Sequence, residues 1–135
     1  MKTCYVADSD NNFLNLTERH LVLFGYQVLT FKSGSDLMNA LKQKPGAILI
    51  GHVTDLNVLS LIKDIRKLYT QLSIFHLAET NSQTDAISSV RAGATEFIEK
   101  NGATFVRLRT SLELLEKKSS QAGSIFKNIK NAFVR

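Results

Sequence analysis

The polar residues that could do chemistry follow two apolar runs. Asp8, Ser9 and Asp10 come directly after TCYVA, and Gly51 and His52 come directly after AILI. Runs of this kind are typical of strands buried on both faces of a parallel sheet. In open sheets of that kind, ligands and catalytic groups lie beyond the carboxyl ends of the strands. We therefore expect these residues to line one crevice, where Gly51 has no side chain to act as a nucleophile.

The other reactive residue types do not form a catalytic pattern. His20, His52 and His76 fall on different predicted elements and lack the spacing of metal ligands. No combination of Ser, His and Asp suggests a hydrolase, and the glycines do not cluster as they do in a phosphate-binding loop. Because the crevice offers no nucleophile together with a base, the sequence does not predict an enzyme.

Five repeats of strand and helix must position the crevice residues. Strands are predicted at residues 3–7, 26–31, 48–50, 72–78 and 95–98, each followed by apolar residues at helical spacing. This alternation predicts an α/β fold, a doubly wound, flavodoxin-like parallel sheet of five strands with helices on both faces. The commonest strand order at this length, 2-1-3-4-5, places the ends of the first and third strands side by side.

Composition limits the class of protein. With 135 residues, of which 44% are hydrophobic and 21% charged, the chain is expected to form one globular domain. No apolar run approaches the roughly 18 residues needed to span a bilayer, and the N-terminus turns acidic too early for a secretory signal. We therefore expect a cytoplasmic protein, in which the single Cys4 is a small buried hydrophobe.

The excess positive charge lies in the C-terminal part of the sequence. Residues 1–106 carry ten bases and ten acids, whereas residues 107–135 carry seven bases and two acids. The fifth helix is predicted to run to about Lys118, where SSQAG indicates a flexible break, and residues 124–135 resume a helical pattern. We predict a domain over residues 1–118 and a basic tail over residues 119–135 that contains a short amphipathic helix.

Six segments together resemble the receiver domains of bacterial two-component response regulators, over roughly residues 3–117. They are CYVADSD, GYQVLTFKSG, PGAILIG, LIKDIRKL, LAET and RAGATEFIEK. No segment is specific alone, but they occur in order and at fitting distances. The resemblance implies a CheY-like fold and a role in phosphorelay signal transduction.

The same resemblance implies an acidic pocket that accepts a phosphoryl group. In the family, two acids after the first strand bind Mg²⁺, an aspartate after the third strand accepts phosphate, and a hydroxyl and a lysine contact it. This sequence keeps Asp8 and Lys100. The second acid, the phosphoacceptor and the hydroxyl fall on Ser9, Gly51 and Leu77.

Within this degenerate pocket we expect Asp8 to pair directly with Lys100. One carboxylate and the hydroxyl of Ser9 are a poor cage for Mg²⁺, and a simple ion pair satisfies both charges. No bound cofactor is therefore expected. The alternative is a Mg²⁺ ion held by Asp8 and Asp10.

These departures predict an atypical receiver, a pseudo-receiver that acts by phosphorylation-independent protein contact. One alternative is a divergent receiver still phosphorylated at Asp55 or His52. Strand alternation should point His52 away from Gly51, and Asp55 would reach the crevice only if its loop folded back. The other alternative is an adaptor that its basic tail brings to nucleic acid or to an anionic membrane.

The expected partner is a protein, either a histidine kinase or another signalling protein. The sequence does not decide whether the chain forms a homodimer. By resemblance, the docking face combines the fourth helix, the fifth strand and the fifth helix. Its candidate members are Ser88, Arg91, Phe97, Arg107 and Arg109. Because Leu77 would fill the pocket with apolar bulk, we expect Phe97, the position of the family's mobile aromatic, to stay fixed.

Overall fold

Five strands and five helices alternate along the chain in the computed structural model, which describes the backbone of residues 2–133 and the side chains of residues 2–118. The strands are β1 (Thr3–Ala7), β2 (Gln27–Phe31), β3 (Ala47–Ile50), β4 (Ser73–Ala78) and β5 (Glu96–Glu99). The helices are α1 (Asn11–Leu23), α2 (Gly34–Ala40), α3 (Val58–Leu68), α4 (Gln83–Ala92) and α5 (Thr104–Phe133). All strand pairs are parallel, in the order β2-β1-β3-β4-β5. The predicted fold class and strand order are confirmed.

Side-chain caps fix where four of the helices begin. The carboxylate of Asp10 accepts hydrogen bonds from the first turn of α1, and the side chains of Ser33, Asn57 and Ser82 do the same for α2, α3 and α4. Each cap satisfies a backbone N–H group that has no partner within the helix. The loops that leave the carboxyl ends of the strands are therefore held at defined positions.

The strand register brings the ends of β1 and β3 to one level, next to His76 of β4. Ala7 lies opposite Ile50, and Ile50 lies opposite His76. One side of the sheet packs into a core that includes Tyr5, Ile48 and Ile74, together with residues of α2, α3 and α4. Asp8 and Gly51, which follow Ala7 and Ile50, are therefore neighbours, as the predicted strand order required.

Arg66 links the end of α3 to the turn between α4 and β5. Its guanidinium donates to the backbone carbonyls of Gly93, Tyr69 and Thr70 at 2.9, 3.0 and 3.1 Å. Gly93 has φ +125°, and a Cβ atom added there would lie 2.8 Å from Arg66 Cβ. Both the backbone conformation and the close approach of Arg66 therefore require glycine at this turn.

The chain divides into two compact units, Met1–Thr104 and Phe105–Arg135. Helix α5 is continuous to Phe133, so the predicted end near Lys118 and the flexible break at SSQAG are wrong. Ser, Gln and Ala are tolerated in helices, and one glycine costs only about 1 kcal/mol relative to alanine. The amphipathic character predicted for the tail helix lies outside the described side chains. Within residues 2–133, no helix combines the length and apolar character needed to cross a membrane.

Candidate functional site

Asp8 lies beside Gly51 at the end of β1, and its carboxylate is fully buried. Oδ2 accepts a hydrogen bond from Lys100 Nζ at 2.7 Å and another from the backbone N–H of His52 at 3.1 Å. Oδ1 accepts from the backbone N–H of Asp10 at 2.8 Å. A buried carboxylate is costly without partners, and here both oxygens have them.

The carboxylate of Asp8 occupies the space that a side chain at position 51 would need. A Cβ atom added at Gly51 would overlap Asp8 Oδ2 and would lie 2.8 Å from Asp8 Cγ. Glycine is thus the residue that lets Asp8 lie across the end of β3. Sequence reasoning identified both residues but missed this relation, because one sequence does not reveal which side chain fills the space beside a glycine.

Lys100 is held by two groups and is only 12% exposed. Its ammonium forms the ion pair with Asp8, so the predicted direct pairing is present. The same ammonium lies over the ring of Phe13, 4.0 Å from the ring centroid. A cation at this distance is attracted by the negative face of the ring. Sequence reasoning did not connect Phe13 with the site, although its position in the first turn after Asp8 and Asp10 was a usable signal.

The oxygen groups nearest to Asp8 in the sequence are engaged in local hydrogen bonds. The carboxylate of Asp10 caps α1 by accepting from Asn12 N at 2.9 Å and Phe13 N at 3.4 Å. The hydroxyl of Ser9 donates to the carbonyl of His52 at 2.9 Å. Among the residues whose side chains are described, no three His, Cys, Asp or Glu residues are grouped so that they could hold a metal ion. This donor set does not fit Mg²⁺, which needs several oxygen ligands in octahedral geometry.

A crevice of about 170 Å³ opens beside this ion pair. Its lining is formed by Gly51, His52, Val58, His76, Leu77, Ala78, Glu79 and Lys100. Leu77 is 1% exposed and supplies apolar surface where the family has a hydroxyl. His52 lines the same crevice as Gly51. Because β3 ends at Ile50, strand alternation does not fix the direction of the His52 side chain, and its orientation away from Gly51 stays a prediction.

His76 connects the crevice to α4. Its Nδ1 lies 2.8 Å from the buried hydroxyl of Ser89, and its ring stands nearly perpendicular to Phe97, with 5.2 Å between centroids. Burial, reinforced by the charge of Lys100 and opposed by Asp85, lowers the pKa of His76 to about 4. The imidazole is therefore uncharged at neutral pH. Sequence reasoning treated His76 as an ordinary strand residue and missed this contact.

Asp55 does not line the crevice. Its carboxylate accepts from Gly34 N at 2.9 Å, Ser35 N at 3.0 Å and Ser35 Oγ at 2.8 Å, and so binds the first turn of α2. The backbone hydrogen bond from Gly34, followed by those from Ser35, lowers the pKa of Asp55 to about 2. The loop after β3 therefore directs this acid towards α2 and away from Gly51.

The residues of the predicted docking face fall in both compact units. In the first unit, Ser88 and Phe97 are half-buried and Arg91 is exposed. In the second unit, Arg107 and Arg109 are exposed, and Arg109 Nε bonds Glu113 Oε1 at 3.0 Å. Helix α4, which carries Arg91, also exposes the apolar side chains of Ile87 and Val90.

The curated proteins that resemble this chain in sequence are transcriptional regulators. NtrC of Klebsiella pneumoniae, a DNA-binding transcriptional regulator, is 24% identical over 98 residues, which are 71% of this chain and 21% of that protein. The transcriptional regulatory protein PrrA of Mycobacterium tuberculosis is 26% identical over 121 residues, 88% of this chain and 52% of PrrA. The chain thus spans about a fifth of NtrC and about half of PrrA. No family model matches the chain.

Solved receiver domains share the fold. The response regulator receiver domain protein of Methanospirillum hungatei has a TM-score of 0.79 at 20% identity and covers 90% of this chain and 98% of that one. The receiver domain of the Francisella response regulator 1452 has a TM-score of 0.80 at 18% identity, covering 88% and 99%. TrrA of Thermotoga maritima, solved in complex with Mg²⁺ and BeF, has a TM-score of 0.77 at 22% identity, covering 85% and 99%.

Proposed function

We propose, from its CheY-like receiver fold, that this chain is a receiver-type domain of two-component signalling that works by protein contact and does not accept a phosphoryl group. The fold and the names of the similar proteins support the receiver assignment. The loss of phosphate chemistry is a separate step, supported by the crevice.

One observation carries that step: the carboxylate of Asp8 fills the space beside Gly51 where a phosphoacceptor side chain would begin. Position 51 has no nucleophile, and Asp8 itself is fully buried with both oxygens hydrogen-bonded. Attack on a phosphoryl donor requires a free oxygen aligned with the phosphorus atom. Neither residue offers one.

The groups that would stabilise a phosphoryl group in a receiver have other partners here. Lys100 is bound to Asp8 and Phe13, and the position of the family's hydroxyl holds the buried Leu77. Because the described side chains around Asp8 do not fit Mg²⁺, the charge that gathers on a transferring phosphoryl group would be left unneutralised. We infer that the Asp8–Lys100 pair beside the crevice has a structural role. Signalling would then depend on which protein the domain contacts.

Incubation with radiolabelled acetyl phosphate and Mg²⁺ tests this proposal. The wild-type chain and its Gly51→Asp variant should both stay unlabelled, because in the variant Leu77 and Ser9 remain and Asp8 must first be displaced. TrrA of Thermotoga maritima, which was solved with Mg²⁺ and BeF, serves as the positive control. Metal-dependent label on the wild-type chain would refute the proposal.

A divergent receiver phosphorylated at a substitute residue remains the nearest alternative. Asp55 is committed to α2, whereas His52 lines the crevice and is exposed. If His52 were the acceptor, His52→Asn would abolish the label and Asp55→Asn would leave it unchanged. The crevice geometry favours neither residue over the phosphorylation-independent function.

The second alternative is an adaptor that binds nucleic acid. NtrC, by its name, is a DNA-binding regulator, and residues 107–135 of this chain carry seven bases and two acids, three of the bases within residues 119–135. Electrostatic binding of this kind weakens steeply with salt. If the chain shifted the mobility of a DNA duplex at low salt and lost that activity in a variant lacking residues 119–135, the adaptor function would replace the proposed one.

A further inference from the structure

The strand β2 forms one edge of the sheet, and its backbone faces outward at two residues. Gln27 N donates to Lys2 O at 2.9 Å, and Phe31 O accepts from Asp8 N at 3.0 Å, so both ends of β2 bond to β1. Alternate residues of a parallel strand bond to the same neighbour. The N–H and C=O groups of Val28 and Thr30 therefore point away from β1, to the side where the described sheet has no further strand.

An open groove of about 650 Å³ lies at the N-terminal half of this edge, where Thr3 and Tyr5 of β1 also line it. Gln27, Val28 and Leu29 of β2 contribute to it, together with Val22 from the end of α1 and Gln43 and Lys44 from the loop before β3. The groove therefore has a strand as its floor and a helix end and a loop as its walls. This shape suits an extended segment better than a helix.

The groove exposes apolar side chains that have little reason to face water. Leu29 is 50% exposed and Val22 is 55% exposed, and Leu23, which lines the adjoining depression with Val22, is 81% exposed. Edge strands are normally protected by charged residues, proline or a bulge. The QVLTF sequence of β2 contains neither a charge nor a proline, so this edge is available for strand pairing.

Charge selects the kind of segment that would pair here. Lys2 bonds Gln27 at one end of β2, Lys32 follows Phe31 at the other end, and Lys44 lines the groove. All three side chains are exposed. A second copy paired antiparallel about Leu29 would set the Lys32 end of each β2 against the Lys2 end of the other, with the two lysines about two strand spacings, or ~10 Å, apart. The resulting repulsion between like charges disfavours a symmetric dimer.

We propose that β2 is a docking edge for an extended, acidic segment of a partner protein, which pairs with the outward backbone groups of Val28 and Thr30. Such pairing gains affinity from main-chain hydrogen bonds and specificity from the pockets for alternate side chains. In this proposal Val22 and Leu29 receive apolar side chains, and the lysines at the two ends of the strand receive flanking carboxylates. The site lies at the opposite edge of the sheet from β5, which belongs to the docking face expected from the resemblance. The docking edge therefore adds to the proposed function and does not depend on it.

Amide hydrogen exchange of the full chain, followed by NMR, tests this docking edge. The probe is a blocked peptide of alternating valines flanked by glutamates, titrated without any phosphoryl donor. We expect slower exchange at the amides of Val28 and Thr30. Methylation of the pairing amide nitrogens of the peptide should weaken binding at least tenfold, and so should replacing its glutamates with lysines.

Two protein variants separate strand pairing from general stickiness. Val28→Pro removes an outward N–H without removing a bond to β1, and Lys32→Glu reverses a flanking charge without touching the strand. Each should weaken peptide binding at least tenfold, and Lys32→Glu keeps the test valid if the proline variant does not fold. A matched control, Lys63→Glu on the exposed side of α3, should bind like the wild type.

Three results would overturn this inference. They are the absence of protection at Val28 and Thr30 at saturating peptide, equal binding by the N-methylated peptide, and protection without peptide that increases with protein concentration, which would indicate a second copy. Labelling by acetyl phosphate would refute the proposed function and would leave the docking edge standing.

Discussion

At the scale of single residues, the charge of the buried Asp8 carboxylate beside the crevice is neutralised by the ammonium of Lys100. A receiver pocket with several acids needs metal to neutralise them, whereas here Asp8 and Lys100 neutralise each other at 2.7 Å. Phe13 covers the ammonium, and Gly51 provides the space for the carboxylate. Each of these residues depends on the others, so substitutions here should be strongly non-additive.

Removal of the lysine should destabilise the fold. Lys100→Met leaves the buried Asp8 carboxylate with backbone partners only, and we expect a loss of about 3 kcal/mol in the free energy of unfolding, measured in urea. Lys63→Met, at an exposed position, is the control and should change stability little. The double variant Asp8→Asn with Lys100→Met should recover part of the loss. A loss within error of the control would contradict the role of the ion pair.

Gly51→Asp should destabilise the fold, and adding Asp8→Gly should restore part of the lost stability. Gly51→Asp alone forces two acids into one space and should cost about 2 kcal/mol through overpacking. Adding Asp8→Gly vacates that space and should recover at least half of the cost. Thermal or urea unfolding of the four proteins in this cycle measures the coupling, and simple additivity of the two single changes would show that the residues do not compete for the space.

The buried imidazole of His76 should make stability depend on pH. Its pKa is lowered from 6.5 to about 4, so between these values the unfolded chain binds more protons than the folded chain. Stability should therefore decrease as the pH falls from 6.5 to 4, by an amount on the order of 2 kcal/mol after allowance for partial exposure. His76→Asn should reduce this decrease. Equal pH profiles for the wild type and His76→Asn would refute this assignment.

At the scale of elements, local side chains decide where helices begin and how loops return to the sheet. The cap at Asp10 was predictable because a short polar residue precedes the apolar pattern of α1. The contact of Asp55 with α2 was not predictable, because Asp55 bonds Gly34 and Ser35, which lie 21 and 20 positions earlier in the sequence. The continuation of α5 to Phe133 was also missed, since SSQAG tolerates both a loop and a helix.

Arg66 should be hard to replace, because one guanidinium bonds three carbonyls. Partial burial lowers the pKa of Arg66. Its planar guanidinium places N–H groups towards the carbonyls at the end of α3 and towards the carbonyl of Gly93. Lysine keeps the charge but cannot reach all three acceptors, so Arg66→Lys should lose about 1–2 kcal/mol of unfolding free energy. The neighbouring Lys67→Arg, at an exposed position, is a suitable control. Equal stability of Arg66→Lys and the wild type would show that a single bond suffices.

At the scale of the whole molecule, the fold was predictable and the content of the crevice only partly so. Apolar periodicity predicted the strands and helices, and the commonest arrangement for a chain of this length predicted the strand order. The positions after Ala7 and Ile50 predicted where the crevice would lie. What remained hidden were the side-chain relations across elements: Asp8 against Gly51, Phe13 against Lys100, and His76 against Ser89. These relations depend on rotamers and packing, which a single sequence does not encode in any local pattern.

The most direct test of the central claim is the amide NMR spectrum of the intact chain with and without Mg²⁺ and beryllofluoride, which mimics a phosphoryl group on an acceptor carboxylate. Because Gly51 has no carboxylate and Asp8 is fully bonded, the peaks of Asp8, Gly51, Leu77 and Phe97 should not move. TrrA, titrated in parallel, shows that the reagent is active. If those four peaks of the chain moved together at stoichiometric reagent, a functioning acceptor would exist and the phosphorylation-independent account would be wrong.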